Sequence, residues 1–299
     1  MSQENVYSAS PNYWKPILFV AAPWVFVFLW STGFVGAKFS LQYSGPFHLL
    51  FFRGLFSCVI FLFLSVVLKV KFPSLKSVKQ QLIVGLFLQT FFLGGCFFAI
   101  NKGLPASVVA LITGLQPVLT AVLASIIQSK QLKKLQWLGI VVGFLGVFLV
   151  LSPTKLGGEL SLIGLLAAFF GLTGVTVGAM YQKKAVSDGH IFASTFFQYI
   201  PLAVVMGVVS FLYEPNTPTW NAPFIISILW LVVGVSVTAI LLLMFMIKNG
   251  ESTKVASYFY LVPVLTAVEA WILFDEKISF AMLLGMGLSI IGLLLVHRK

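Results

Sequence analysis

Apolar runs of roughly 17 to 25 residues, each the length of a helix crossing a hydrocarbon core of about 30 Å, fill this chain between short polar breaks. Reading the runs against charged and Pro/Gly-bearing breaks predicts ten spans. In the first half they are Ile17–Lys38, Phe47–Lys69, Gln80–Ile100, Ala106–Ile127 and Leu135–Leu151. In the second they are Leu160–Tyr181, Ile191–Tyr213, Ala222–Ile247, Val255–Phe274 and Phe280–Val296. The runs are continuous and lack period-2 alternation, which argues for helices over a β-barrel.

The two halves carry one pattern. Pro117-Val118-Leu119-Thr120-Ala121-Val122 returns as Pro263-Val264-Leu265-Thr266-Ala267-Val268, and the gapless alignment extends from Ala110–Val150 over Ala256–Val296. Gly139 falls on Gly285 and Gly146 on Gly292. The earlier spans align more weakly, with His48 over His190. A repeat of five spans reverses the direction in which its copy enters the membrane, so the expected architecture is an all-α membrane protein of two inverted five-helix repeats. The expected organisation is a cytoplasmic tail over residues 1–16, a first repeat over 17–151, a linker over 152–159 and a second repeat over 160–297. Inverted repeats of this kind recur in secondary transporters, with substrate near the midplane where the repeats meet.

Composition agrees with a bilayer protein: 59% hydrophobic and 9% charged residues, with a mean hydropathy of +1.03. A soluble domain carries about a quarter charged residues. The net charge of +11 does not point to nucleic acid, because the basic residues lie in short loops and not on one folded surface. They set topology instead. Of 19 Lys and Arg, only Lys38, Lys102, Lys155 and Lys277 fall on one side, and Arg53 lies inside a span. The positive-inside rule then puts both termini in the cytoplasm, and the expected location is the cell membrane, the inner membrane if the protein is bacterial. The first 16 residues lack a small-residue cleavage site, so the first span is expected to be retained. Cys58 and Cys96 read as packing residues, and no metal or cofactor is expected.

Several segments together resemble the drug/metabolite transporter superfamily in its ten-helix EamA-type branch. They are Leu29-Trp30-Ser31-Thr32-Gly33-Phe34-Val35-Gly36-Ala37-Lys38, Phe51-Phe52-Arg53, the paired Pro-Val-Leu-Thr-Ala-Val segments, and Phe274-Asp275-Glu276-Lys277-Ile278 before the glycine-spaced last helix. The resemblance covers Pro16 to Val296. It implies transport of amino acids, other metabolites or lipophilic drugs, through a cavity lined by spans one to four and six to nine. The fifth and tenth spans would be peripheral. One departure stands out, since Lys130 occupies the position matching Glu276 and leaves Glu276 a structural role.

Arg53 is the arginine inside a span and Glu269 the acid inside a span, both roughly 7 to 9 Å deep at about 1.5 Å per residue. A charge near the helix centre costs about 2.5–3.5 kcal/mol on insertion scales, so each needs a partner or a task. In one reading they pair and join the repeats. In the other, Arg53 meets a substrate carboxylate or phosphate, and Glu269 binds an amine or a coupling proton. Pro117 and Pro263 are expected to kink their helices as packing features or hinges, freeing the carbonyls of Thr113 and Phe259. Thr113, Gln116, Tyr258 and Tyr260 supply donors beside those kinks, and Trp30, Gln89 and Gln198 are further polar or amphipathic candidates. Lys38 and Lys102 read as snorkelling cations, and His48 and His190 as helix-end residues.

No constellation for catalysis appears at membrane depth, so an enzyme is not expected. The expected activity is alternating-access transport of a small metabolite, an amino acid or related compound, and in the export direction. Efflux of lipophilic compounds is the alternative, with a channel or structural protein behind it. The partners expected are a small-molecule substrate and the lipid bilayer. The small-residue faces at Gly139, Gly143 and Gly146 and at Gly285, Gly287 and Gly292 serve either internal packing or a homodimer.

Overall fold

The computed structural model describes residues 14–127, 133–150, 161–185, 187–249 and 258–297. The expected linker 152–159, and Lys130, lie outside the described residues. Among them every regular element is helical. We number the rods α1 Trp14–Ser40, α2 Pro46–Val67, α3 Leu75–Asn101, α4 Ala106–Ile127, α5 Lys134–Val150, α6 Leu162–Lys184 and α7 Ile191–Tyr213. Three consecutive helical stretches, Ala222–Leu229, Trp230–Ala239 and Ile240–Asn249, form α8. Val262–Phe274 is α9 and Phe280–His297 is α10. Among the described residues seven helices are long and apolar enough to cross a membrane, and α5, α9 and α10 are shorter apolar helices.

Polar residues at the breaks start the helices. Ser74, Ser161, His190 and Asn221 accept hydrogen bonds from backbone N–H groups in the first turns of α3, α6, α7 and α8. Each satisfies a donor that has no partner within its own helix. Pro46 stands in the first turn of α2, where a missing N–H costs nothing. In the α6–α7 loop Asp188 accepts from Ser74 N at 3.1 Å, and that backbone bond holds its carboxyl below the ordinary carboxylate range.

The repeated prolines do not bend continuous helices. Thr113 and Gly114 end one stretch of α4 and a new one starts at Gln116, so Pro117 is its second residue. Pro263 is likewise the second residue of α9, after a 3-10 turn over Phe259–Leu261. Both prolines therefore open a helical segment, the position proline tolerates best, and the mid-helix kink expected from sequence is a break with a restart.

Helix contacts follow from small residues. A Cβ built on Gly139 would come within 2.6 Å of the Gly292 carbonyl oxygen, and one on Gly146 within 2.5 Å of the Gly285 carbonyl oxygen. The α5 and α10 backbones thus touch and run antiparallel. Their glycine faces are satisfied inside one chain, with Ser289 Oγ donating to Gly143 O at 3.4 Å. The α2–α7 pair is also antiparallel: Phe47 and His48 N donate to Glu214, Gly54 lies against Ala203, and Phe61 stacks on Tyr199. The α4–α9 region runs antiparallel as well, Ala106 N meeting Glu276 and Gly114 lying near Pro263. Two rods share a further irregularity. Leu86–Phe91 in α3 and Trp230–Ala239 in α8 are π-helical, and such segments widen a helix locally and often mark functional sites.

A chamber with a lone arginine and a seam with a lone carboxylate

A chamber enclosing about 920 Å³ of empty space, including that open to solvent, lies among α1, α2, α3, α6, α7 and α8. Gly33 in α1 and the widened parts of α3 and α8 bring Trp30, Gln89 and Val235 to its wall. Arg53 also lines it and is 3% exposed. Its Nε donates to Ser236 Oγ at 3.0 Å, the Phe97 ring lies 5.6 Å from Cζ, and the Tyr199 hydroxyl is a close electrostatic neighbour. Those partners are neutral. Among the described residues, no carboxylate reaches Arg53 within 4.0 Å; the acids in such contacts are Glu276, paired with Lys38, and Glu214, beside His48.

Gln198 lines the chamber, and its Nε2 donates to Gln81 Oε1 at 2.7 Å, while Gln81 donates to Ala185 O. Trp30 belongs both to this wall and to that of a second hollow, of about 480 Å³ including space open to solvent, where Thr113, Gln116, Pro117 and Pro263 stand. Thr113 Oγ1 turns back onto its own helix, donating to Val109 O at 2.9 Å or Ala110 O at 3.2 Å. Tyr258 instead meets Trp24 edge to face, at 6.4 Å between ring centroids. The side chain of Tyr260 lies outside the described residues.

Glu269 lines none of these hollows. It is 9% exposed, between α9 and α1, where Ser31 Oγ donates to its Oε1 at 2.6 Å. The structure therefore does not bring Arg53 and Glu269 into an ion pair. Ser31 Oγ also lies 2.9 Å from the Phe28 carbonyl oxygen. A hydroxyl has one proton to donate, so Ser31 serves one of the two acceptors at a time. When it serves Phe28, the short contact to Glu269 requires a proton on the carboxyl. Glu269 Oε2 is buried without a hydrogen-bond partner among the described residues.

The other acids sit at helix ends. Glu276 Oε1 is 2.7 Å from Lys38 Nζ and accepts from Ala106 N at 3.2 Å, while Oε2 accepts from Ser107 Oγ at 3.0 Å. One carboxylate thus ties the end of α1 to the positive N-terminus of α4. The backbone helps, since Asp275 turns left-handed at φ 52° and sends the chain back over the end of α9. Lys38 therefore has an acidic partner and a ring, Phe274, 4.6 Å away, in place of the snorkelling role expected of it. His48 Nδ1 stands 2.9 Å from Glu214 Oε2, and His190 Nδ1 accepts from Phe192 N, both at helix starts.

Sequence reasoning missed Ser236 as the arginine's partner, because a serine in an apolar run reads as interhelical glue. It also missed Gln182 and Thr195, which line the chamber from the facing ends of α6 and α7.

Comparison with known proteins bears on the family and the fold. The EamA-like transporter family matches twice, over residues 15–152 and 162–298. The uncharacterized transporter YvbV of Bacillus subtilis is 29% identical over 277 residues, spanning 91% of this chain and 89% of that one. A probable amino-acid metabolite efflux pump of Escherichia coli is 25% identical over 282 residues, with 89% and 90% covered. A solved crystal structure superposes with a TM-score of 0.62 at 16% identity, over 93% of this chain and 96% of the other, and speaks for the fold alone. Two matches that together take in nearly the whole sequence leave one conclusion: the chain belongs to the EamA-like transporter family.

Proposed function

We propose that this chain is a secondary transporter that exports a small metabolite, an amino acid or related compound, across the cytoplasmic membrane by alternating access. The observation that carries the reading is Arg53, a buried guanidinium with only neutral partners among the described residues, in the wall of a chamber between the two halves. A carboxylate entering that chamber gains charge-assisted, bidentate hydrogen bonds that water cannot hold in fixed geometry. The ten spans and their inverted arrangement are supported by the antiparallel contacts of α2 with α7, α4 with α9 and α5 with α10, each joining equivalent helices of the two repeats. The repeat boundaries 17–151 and 160–297 belong to the same proposal, as do the cytoplasmic termini inferred from the Lys/Arg count.

The chamber reaches Gln182 and Ile191 at the ends of α6 and α7, while the Lys38–Glu276 contact closes the opposite ends of the helices. With the termini in the cytoplasm, this is an inward-facing arrangement, and the paired helix restarts at Pro117 and Pro263 are the hinges. Export is favoured by the efflux role in the name of the Escherichia coli relative. Glu269 is the coupling-proton site, because the Ser31 contact accommodates both the protonated and the ionised carboxyl. The other titratable side chains described on α1, α9 and their ends are Lys38, Tyr43, Tyr258, Asp275, Glu276 and Lys277, and Lys38 and Glu276 are paired with each other. The glycine contacts of α5 with α10 favour a monomer.

Efflux of lipophilic compounds is the second reading, favoured by the rings of Trp30, Phe34, Phe92 and Phe97 in the chamber wall. Saturable counterflow in proteoliposomes tests the carrier. Loss of counterflow of carboxylate substrates in Arg53→Gln, with that of uncharged apolar compounds unchanged, supports the metabolite reading; the reverse pattern supports the lipophilic one.

A further inference from the structure

We infer that the chamber selects a carboxylate with an apolar body and no cationic group, a net anion and not a zwitterion. The inference rests on the proposed transport through this chamber and, within the proposed class, keeps the related carboxylates and sets aside the amino acids themselves. The buried guanidinium of Arg53 supplies one uncompensated positive charge to the chamber. An incoming carboxylate neutralises it. A zwitterion brings a second cation that must also leave water, and a buried ammonium needs a carboxylate or several acceptors to offset the desolvation.

Among the described residues the chamber wall has no Asp or Glu. Glu269, the acid within the membrane helices, faces Ser31 in the α1–α9 seam and does not reach this wall. Gln198 already gives its amide nitrogen to Gln81. The other polar residues named in the wall, Gln89, Gln182 and Thr195, are uncharged, and most of what remains for the ligand is hydrocarbon and aromatic ring, including Trp30, Phe34 and Phe92. An ammonium held against this mostly apolar wall would face Arg53's like charge, which disfavours the zwitterion, while an aliphatic or aryl group gains apolar contact. The complementary charges Arg53 and Glu269 thus do not form the two poles of an amino-acid site.

The test is calorimetric binding to the purified full-length protein in nanodiscs, using three probes of one shape: 3-phenylpropanoate, phenylalanine and 3-phenylpropanamide. The anion is expected to bind about tenfold or more tightly than the other two, and the preference is expected to vanish in Arg53→Gln. Arg53→Lys, which keeps the charge and loses the planar fork, is expected to retain the anion's preference at lower affinity, and it serves if the glutamine variant does not fold. Phenylalanine binding as tightly as the anion, with both dependent on Arg53, overturns the anion class and leaves the chamber as the substrate site. Binding of all three regardless of Arg53 overturns the chamber reading as well. No binding of 3-phenylpropanoate in the millimolar range overturns the inference.

Discussion

Arg53 is the sole arginine and Glu269 the sole acid within the described helices, and the two are housed differently. The arginine stands in the wall of a roomy chamber, with Ser236, Phe97 and Tyr199 around it and space beside it. The carboxylate is closed into a helix–helix seam, with one oxygen on Ser31 and the other without a partner among the described residues. A group that can receive a ligand must face space. A group that exchanges only a proton can work inside a packed interface, provided a neighbour accepts both of its states. Opposite charge at similar depth therefore does not make a pair; the space around each group assigns its task.

Arg53→Gln should produce the largest change. Losing a hydrogen bond to a charged group removes about 1.5–3 kcal/mol, so substrate affinity is expected to fall roughly 10- to 100-fold in counterflow assays. Unchanged affinity would make Arg53 a structural charge and erase the contrast. Glu269→Gln should leave counterflow at equal pH within about threefold, since binding energy from the chamber is intact. Its accumulation of substrate in response to a pH gradient is expected to fall to the no-gradient level. A variant that still responds to the gradient moves the coupling site elsewhere.

Ser31→Ala comes next, because it strips the remaining partner from a buried carboxylate. A loss of about 1 kcal/mol is expected in denaturant or thermal unfolding, with substrate affinity unchanged. An affinity loss comparable to that of Arg53→Gln would place the seam within the binding site. The smallest effect is the most discriminating. In the Arg53→Gln/Glu269→Gln double variant the two changes in unfolding stability should add to within about 0.5 kcal/mol, as for groups that share no partner. A coupling energy above about 1 kcal/mol would restore the ion pair that the structure separates.

Much of the fold was legible along the chain because the bilayer acts residue by residue. Run length, basic loops and the duplicated Pro-Val-Leu-Thr-Ala-Val segment each report on a local requirement: a helix must span lipid, a lysine must avoid it, and a copied segment repeats its packing. Arg53 and Trp30 could be singled out as chamber residues for the same reason, as polar or amphipathic side chains where hydrocarbon is the rule. The partners were not legible. Nothing in the local sequence distinguishes Ser236, which meets Arg53, from Ser227, which meets Ser40. Lys38 and Glu276 are 238 positions apart and become a contact only when α1 lies beside α9.

The sequence by itself determined an all-helical membrane protein with duplicated halves, a lone arginine and a lone carboxylate within its spans, and glycines where helices must touch. Only the tertiary structure decided that the arginine faces a cavity and the carboxylate a seam. It also decided that each repeated proline opens a helix, and that the glycine faces of α5 and α10 meet within one chain. The physical reason is that hydrophobicity and helix geometry act over a few neighbouring residues. Whether a buried charge meets space, a hydroxyl or an opposite charge depends on which distant helix packs against it.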